Sequence, residues 1–308
     1  MMKLTVVTLN LVGNALLLAL LSGPNAAPTL AQTSREPDRS RGEAATQYQR
    51  GVELYDAGRF TEALGAFTRV VELEPDSAAA YNGMGTARHH LGLEREALEA
   101  LLQALRLDPR LAVTYYNLGQ VYAGTGQPRL AILQYLQAVR LRPDYAAAYS
   151  DLGSLYIDLG KYKEAIAVLE YAHSLDPKLA TALNNLGNAY GRSGMPLRAI
   201  EAFQAALRLN PGSALTYANL GAQYYLLRRY QEAAETLDRA LRLDADLAEA
   251  YYLLGRIYLA RRERGATLAQ YTKLKARSPA LAYKLYTEIF KGKVLNVSEE
   301  TPPQQKEL

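Results

Sequence analysis

Four polar residues recur at an interval of 34 along the chain: Asn117, Asp151, Asn185 and Asn219. A carboxamide carries both donors and an acceptor on a short stem, so a column of them could pair with successive peptide groups of an extended chain. Such pairing would not read the bound side chains. Asn188 lies just after one of these residues, Tyr116 just before another, and Tyr225 follows Asn219. Tyrosine adds apolar area with a polar tip, a combination enriched at interfaces. The chemistry suggested is recognition.

Nothing of comparable regularity points to catalysis. The chain has no cysteine, which excludes disulfides, thiolate metal sites and thiol nucleophiles. His89 and His90 are adjacent and so point in different directions on a helix, while His173 is remote. The glycines are spread at regular intervals and do not cluster ahead of a helix as a phosphate loop requires. Carboxylates such as Asp56 and Asp158 belong to different units. No catalytic residue, metal site or cofactor is expected, and an enzymatic role is left only for a subunit that delivers substrate to a partner.

The interval extends well beyond the asparagines. Blocks of 34 residues beginning at Ala44 give seven consecutive copies ending at Leu281 without an insertion. Every block has glycine in its eighth position: Gly51, Gly85, Gly119, Gly153, Gly187, Gly221 and Gly255. The twentieth is alanine in six blocks, at Ala63, Ala97, Ala131, Ala165, Ala199 and Ala233, and threonine, Thr267, in the seventh. Apolar residues such as Leu152, Leu155, Tyr156 and Leu159, then Ala165, Ile166, Leu169 and Ala172, repeat at helical spacing. Each block therefore predicts two helices, with glycine facing alanine where their backbones approach. A second glycine, at Gly58, Gly92, Gly126, Gly160 and Gly194, suits a left-handed cap on the first helix. Prolines such as Pro75, Pro109, Pro143, Pro177, Pro211 and Pro279 end the second. Ala245 replaces proline in the sixth block, which predicts a less firmly specified break there.

This pattern resembles the tetratricopeptide repeat, carried in the fourth block by Tyr149, Leu152, Gly153, Tyr156, Ala165, Leu169, Ala172 and Pro177. The resemblance covers 44–281 and is weakest in the first block, where Gln47 and Arg50 replace apolar residues. It implies an all-α, right-handed superhelical solenoid of helix-turn-helix units, whose first helices line a concave groove. After the array, 282–295 reads as a capping helix and 296–308 as a disordered tail.

The resemblance places the sixth position of each unit in the groove. Asn117, Asp151, Asn185 and Asn219 then form a column, with Asn188, Tyr116 and Tyr225 beside it. It is similar to the peptide-binding ladder of tetratricopeptide O-linked N-acetylglucosamine transferases. The expected partner is a protein or extended peptide. The lysine, asparagine and arginine cluster with which co-chaperone members grip a terminal carboxylate has no counterpart here.

The formal net charge is +4, from 35 basic and 31 acidic residues, too balanced to predict nucleic-acid binding. Basic residues concentrate between 256 and 293, including Arg256, Arg261, Arg262, Arg264, Lys273 and Lys275, against only Glu263 and Glu288. They solvate the open end of the array or, alternatively, dock it on an anionic envelope surface, as an assembly or secretion factor would. A third role is an accessory subunit of a glycan-handling enzyme complex. A polar cap favours a monomer.

At the other end Lys3 precedes an apolar run and then "TLAQ", which reads as a secretory signal over 1–31, cut near Ala31. The protein is expected to be exported, periplasmic or secreted, with an uncleaved inner-membrane anchor as the alternative reading. Residues 32–43 read as a flexible charged linker.

Overall fold

A computed structural model describes residues 35–290, and every regular element among them is an α-helix. The signal expected over 1–31 and the tail expected over 296–308 lie outside the described residues. No helix among the described residues is long and apolar enough to cross a membrane.

Seven helix pairs follow one another. They are α1 (Arg35–Asp56) with α2 (Phe60–Leu73), α3 (Ala78–His90) with α4 (Glu94–Leu107), and α5 (Ala112–Gly124) with α6 (Pro128–Leu141). Then come α7 (Ala146–Asp158) with α8 (Tyr162–Leu175), α9 (Ala180–Arg192) with α10 (Pro196–Leu209), and α11 (Ala214–Leu226) with α12 (Tyr230–Leu243). The seventh pair is α13 (Ala248–Ala260) with α14 (Arg264–Arg277), and α15 (Pro279–Ile289) closes the array. Each pair packs tightly on itself, and each second helix packs on the first helix of the next pair. The chain is an all-α solenoid.

The alanines in the twentieth positions are completely buried, and Thr267 nearly so. The eighth-position glycines, however, meet something larger than the facing alanine. A Cβ on Gly187 would stand 2.6 Å from the Phe203 ring, and one on Gly51 the same distance from Phe67. Leu101, Tyr135, Leu169 and Leu237 fill the equivalent space over Gly85, Gly119, Gly153 and Gly221. The glycine is a socket for a side chain from the middle of the second helix. In the seventh pair that plug comes from outside the repeat, for Leu285 of α15 sits over Gly255. This explains how the last helix seals the open end.

The turn between the paired helices needs one left-handed residue. Gly58, Gly92, Gly126, Gly160 and Gly194 supply it with φ between 71° and 80°. In the last two repeats the same conformation falls on Arg228 (φ 57°) and Arg262 (φ 62°), where a Cβ is disfavoured. Arg228→Gly is therefore expected to stabilise the protein by about 1 kcal/mol despite the greater chain entropy of glycine. A raised urea midpoint checks this, and an unchanged or lowered one would show that the arginine side chain earns its place.

Three expectations need correction. The break between α12 and α13 is as firm as the others although Ala245 replaces proline. Asp244 Oδ1 accepts from the Asp246 backbone N–H at 2.9 Å, as Asp108 and Asp176 do for Arg110 and Lys178. This local turn interrupts the helix without help from proline. The linker expected over 32–43 is helical from Arg35 onward. Once the repeat nucleates α1, backward propagation costs little, and Pro37 falls in the first turn, where it is tolerated. Glu43 also pairs with Arg69 of α2 at 2.8 Å. Finally, the capping helix begins at Pro279, three positions ahead of the expected 282. Ser278 accepts from the Leu281 N–H, and a proline in the next position suits the first turn.

Candidate recognition groove

The first helices form the inner wall. Each packs on the next, from α1 through to α15, most loosely between α5 and α7, whereas the second helices make no comparable contact with one another. An array held closer along one side must bend toward it. The polar column lies on these inner helices, and three of its rungs bond into the preceding repeat. Asn117 Nδ2 donates to Asn82 Oδ1 at 2.9 Å and to Thr86 Oγ1 at 3.2 Å. Asn185 Nδ2 donates to the Ser150 carbonyl at 3.4 Å, and Asn219 Nδ2 to Asn188 Oδ1 at 3.1 Å. Thr216 Oγ1 donates to Asn184 Oδ1 at 3.0 Å.

The expected donor-and-acceptor ladder is thereby altered. The donors of the three asparagines are used between repeats, and their carbonyl oxygens have no partner among the described residues. Because Ser150 offers a carbonyl, which can only accept, the orientation of the Asn185 amide is fixed by chemistry. Asn117 is also 7% exposed, more buried than a freely presented rung would be. What the column offers is a line of acceptors.

Asp151 is the remaining rung, second along the chain. It stands in the seam between α5 and α7, which tyrosines line. The Tyr116 ring lies 4.9 Å from Tyr145 and 5.8 Å from Tyr135. Gln120 Nε2 donates to Tyr116 Oη at 2.9 Å, and both groups lie near the Asp151 carboxyl. Burial raises the carboxyl above its ordinary value, with these two polar groups opposing the shift. Burial, then the neighbouring Asp151, pushes the Tyr116 phenol far up, so it stays protonated as a donor.

A carboxyl raised on folding contributes stability that is complete below its unfolded pKa and is lost as pH rises through the folded one. Asp151→Asn should therefore raise the thermal midpoint at neutral pH, with an advantage that shrinks toward about pH 4. Melting curves across that range check it, and an advantage independent of pH would rule the charge out as its cause.

Tyr225 belongs to a packed cluster near the C-terminal end of the same wall. The Arg256 guanidinium lies 5.0 Å from its ring centre and 5.7 Å from that of Tyr252. Arg256 also pairs with Glu288 of α15 at 3.1 Å, and Tyr252 Oη donates to the same carboxylate at 2.7 Å. Burial, and then Glu288, pushes the Tyr252 phenol up to about 12. Arg256 thus ties α13 to α15.

The remaining basic residues lie along α14 and the turn before it. Arg261, paired with Glu263 at 2.7 Å, lies with Arg262 and Arg264 at the start of α14. Lys273 and Lys275 lie toward its other end, about 15 Å away at helical rise. Their ammonium groups rest 5.3 Å and 5.4 Å from the Tyr251 and Tyr271 rings.

The two adjacent histidines do diverge. His89 Nδ1 bonds Glu94 at 2.7 Å, while His90 Nε2 meets the Tyr55 hydroxyl at 2.7 Å and stacks on Phe60. Burial lowers the His90 pKa. No group of three or more metal-ligating side chains occurs among the described residues.

The arrangement is that of an α-helical repeat solenoid with a polar inner wall. Tetratricopeptide repeat models match residues 48–112 and 227–282, 112–145 and 180–213, and a TPR repeat model matches 153–194. The chain belongs to the tetratricopeptide repeat family. No curated protein matches it. Among solved structures it is similar to PilF of Pseudomonas aeruginosa, with 24% identity and a TM-score of 0.62 over 68% of this chain and 96% of that one. PilW, a type IV pilus biogenesis factor, is 18% identical with a TM-score of 0.64, over 68% and 98%. A chain of the APC/C hetero-tetramer Cut9–Hcn1 is 21% identical with a TM-score of 0.64, over 84% and 59%. At these identities the likeness is one of fold.

Proposed function

We propose that the protein is a non-catalytic scaffold that holds an extended segment of a partner protein against its inner wall. The observation that carries this reading is the line of unpartnered carbonyl oxygens at Asn117, Asn185 and Asn219, with the Asp151 carboxylate in series. An extended chain presents backbone N–H groups at regular intervals, and those are the donors such a line needs. The apolar run after Lys3 supports action outside the cytoplasm, in the periplasm or as a secreted protein.

The test is capture of the partner from the native envelope fraction by wild type and by the Asn185→Ala, Asn219→Ala double variant. Loss of about tenfold or more in the recovery of one defined protein is expected, for two hydrogen bonds at roughly 1 kcal/mol each. Loss of recovery on reversing Arg261, Arg262 and Lys273 to glutamate, with the double variant unaffected, would transfer the function to the C-terminal end.

A further inference from the structure

Within the proposed groove one rung is chemically unlike its neighbours. Asn117, Asn185 and Asn219 carry the amide, while Asp151 carries the isosteric acid at the same position of its repeat. The repeat does not need a charge there, since the uncharged form serves the flanking units. Nor does the charge serve an internal pair. The donors around Asp151, the Tyr116 hydroxyl and the Gln120 amide, are both neutral. Arg142 is a cation of the same seam, but its guanidinium lies 3.3 Å from the Tyr145 ring centre, spent on that face. Asp151 forms no ion pair among the described residues.

A partly buried carboxylate with no countercharge works against folding. Its pKa, raised by burial, is the same cost seen in titration. Residues that cost stability where an uncharged alternative is sterically equivalent are candidates for function. The geometry here suits a definite ligand group. The carboxylate remains part-exposed on the inner wall, in the seam where α5 and α7 pack least closely, with half-buried Tyr116 alongside. A carboxylate on a groove wall with no cation of its own is complementary to an ammonium or guanidinium group, which it can hold by a charge-assisted hydrogen bond.

Resting on the groove reading above, we infer that the seam between the third and fourth repeats is a subsite for a cationic group of the bound chain, seated on Asp151 beside Tyr116. A lysine or arginine side chain and a free amino terminus share this chemistry. In either case the occupant neutralises the carboxylate and places the extended chain in register along the acceptors above and below it.

The experiment is an array of random dodecapeptides, one set N-acetylated and one with free amines, probed with wild type and with Asp151→Asn. Thermal unfolding of the variant serves as the folding control, and its midpoint should be no lower than wild type. Expected is enrichment of about tenfold or more for lysine or arginine at one position among bound acetylated peptides, as a charge-assisted bond gives. Binding confined to the free-amine set would instead assign the amino terminus. Either preference should vanish with Asp151→Asn. Bound peptides with no cationic preference, or one that survives in the variant, would overturn the subsite and leave the groove reading standing. Failure of both proteins to bind any peptide would overturn the two together.

Discussion

Phe203→Ala is expected to lower stability by about 3–5 kcal/mol. The ring is 0% exposed, plugs the Gly187 socket and belongs to the core shared by the fourth to seventh repeats. Ala199 and Ala202 beside it are too small to move into the void, so the cavity should stay open. Urea unfolding followed by circular dichroism measures the change in midpoint. A cost below about 1 kcal/mol would mean that the neighbouring helices collapse readily onto the socket and that the repeats are loosely joined.

Gly153→Leu attacks the same joint from the other side. Leucine is the better helix former by nearly 1 kcal/mol, yet the substitution is expected to destabilise by about 1–3 kcal/mol or more. Its Cβ would fall inside the Leu169 side chain, which is fully buried. Leu169→Ala alone should also destabilise, by about 2–5 kcal/mol. The two together should cost less than their sum, because each supplies the volume the other lacks. Additive effects would show that plug and socket do not interact.

Much of this joint was legible in the sequence, and the reason is geometric. A socket must be glycine and the facing residue must be small, so both positions recur in every block and fix the register. What the sequence did not disclose was the plug, because that position accepts phenylalanine, leucine or tyrosine and so has no single residue type. The seventh plug, Leu285, lies outside the period altogether. The firm break at Ala245 was missed for a related reason. Proline is the visible stop signal, but the turn formed by Asp244 with Asp246 does the same work.

The inner wall shows the opposite pattern. The positions of Asn117, Asp151, Asn185 and Asn219 were readable, but not the state of their hydrogen bonds. Asn117 reaches Asn82 and Thr86, and Asn219 reaches Asn188, only after neighbouring first helices pack side by side. Such contacts depend on the stagger between repeats, which no single block encodes. The basic stretch likewise reads as one patch along the chain. The pairing of Arg256 with Glu288 is visible only in the fold. Gln120, which completes the setting of Asp151, had no signal of its own beyond its place three residues after Asn117.

The central claim, that the inner wall holds the partner, is tested most directly by site-specific photocrosslinking in the native cell. One crosslinker replaces Ser154 on α7, one turn from Asp151 on the inner wall. A control replaces Leu133 on α6, which is 58% exposed. The account predicts a defined protein adduct from position 154 and none from position 133, with the adduct reduced by Asn185→Ala, Asn219→Ala. A partner crosslinked from position 133 but not from 154 would contradict it and place the binding surface on the second helices.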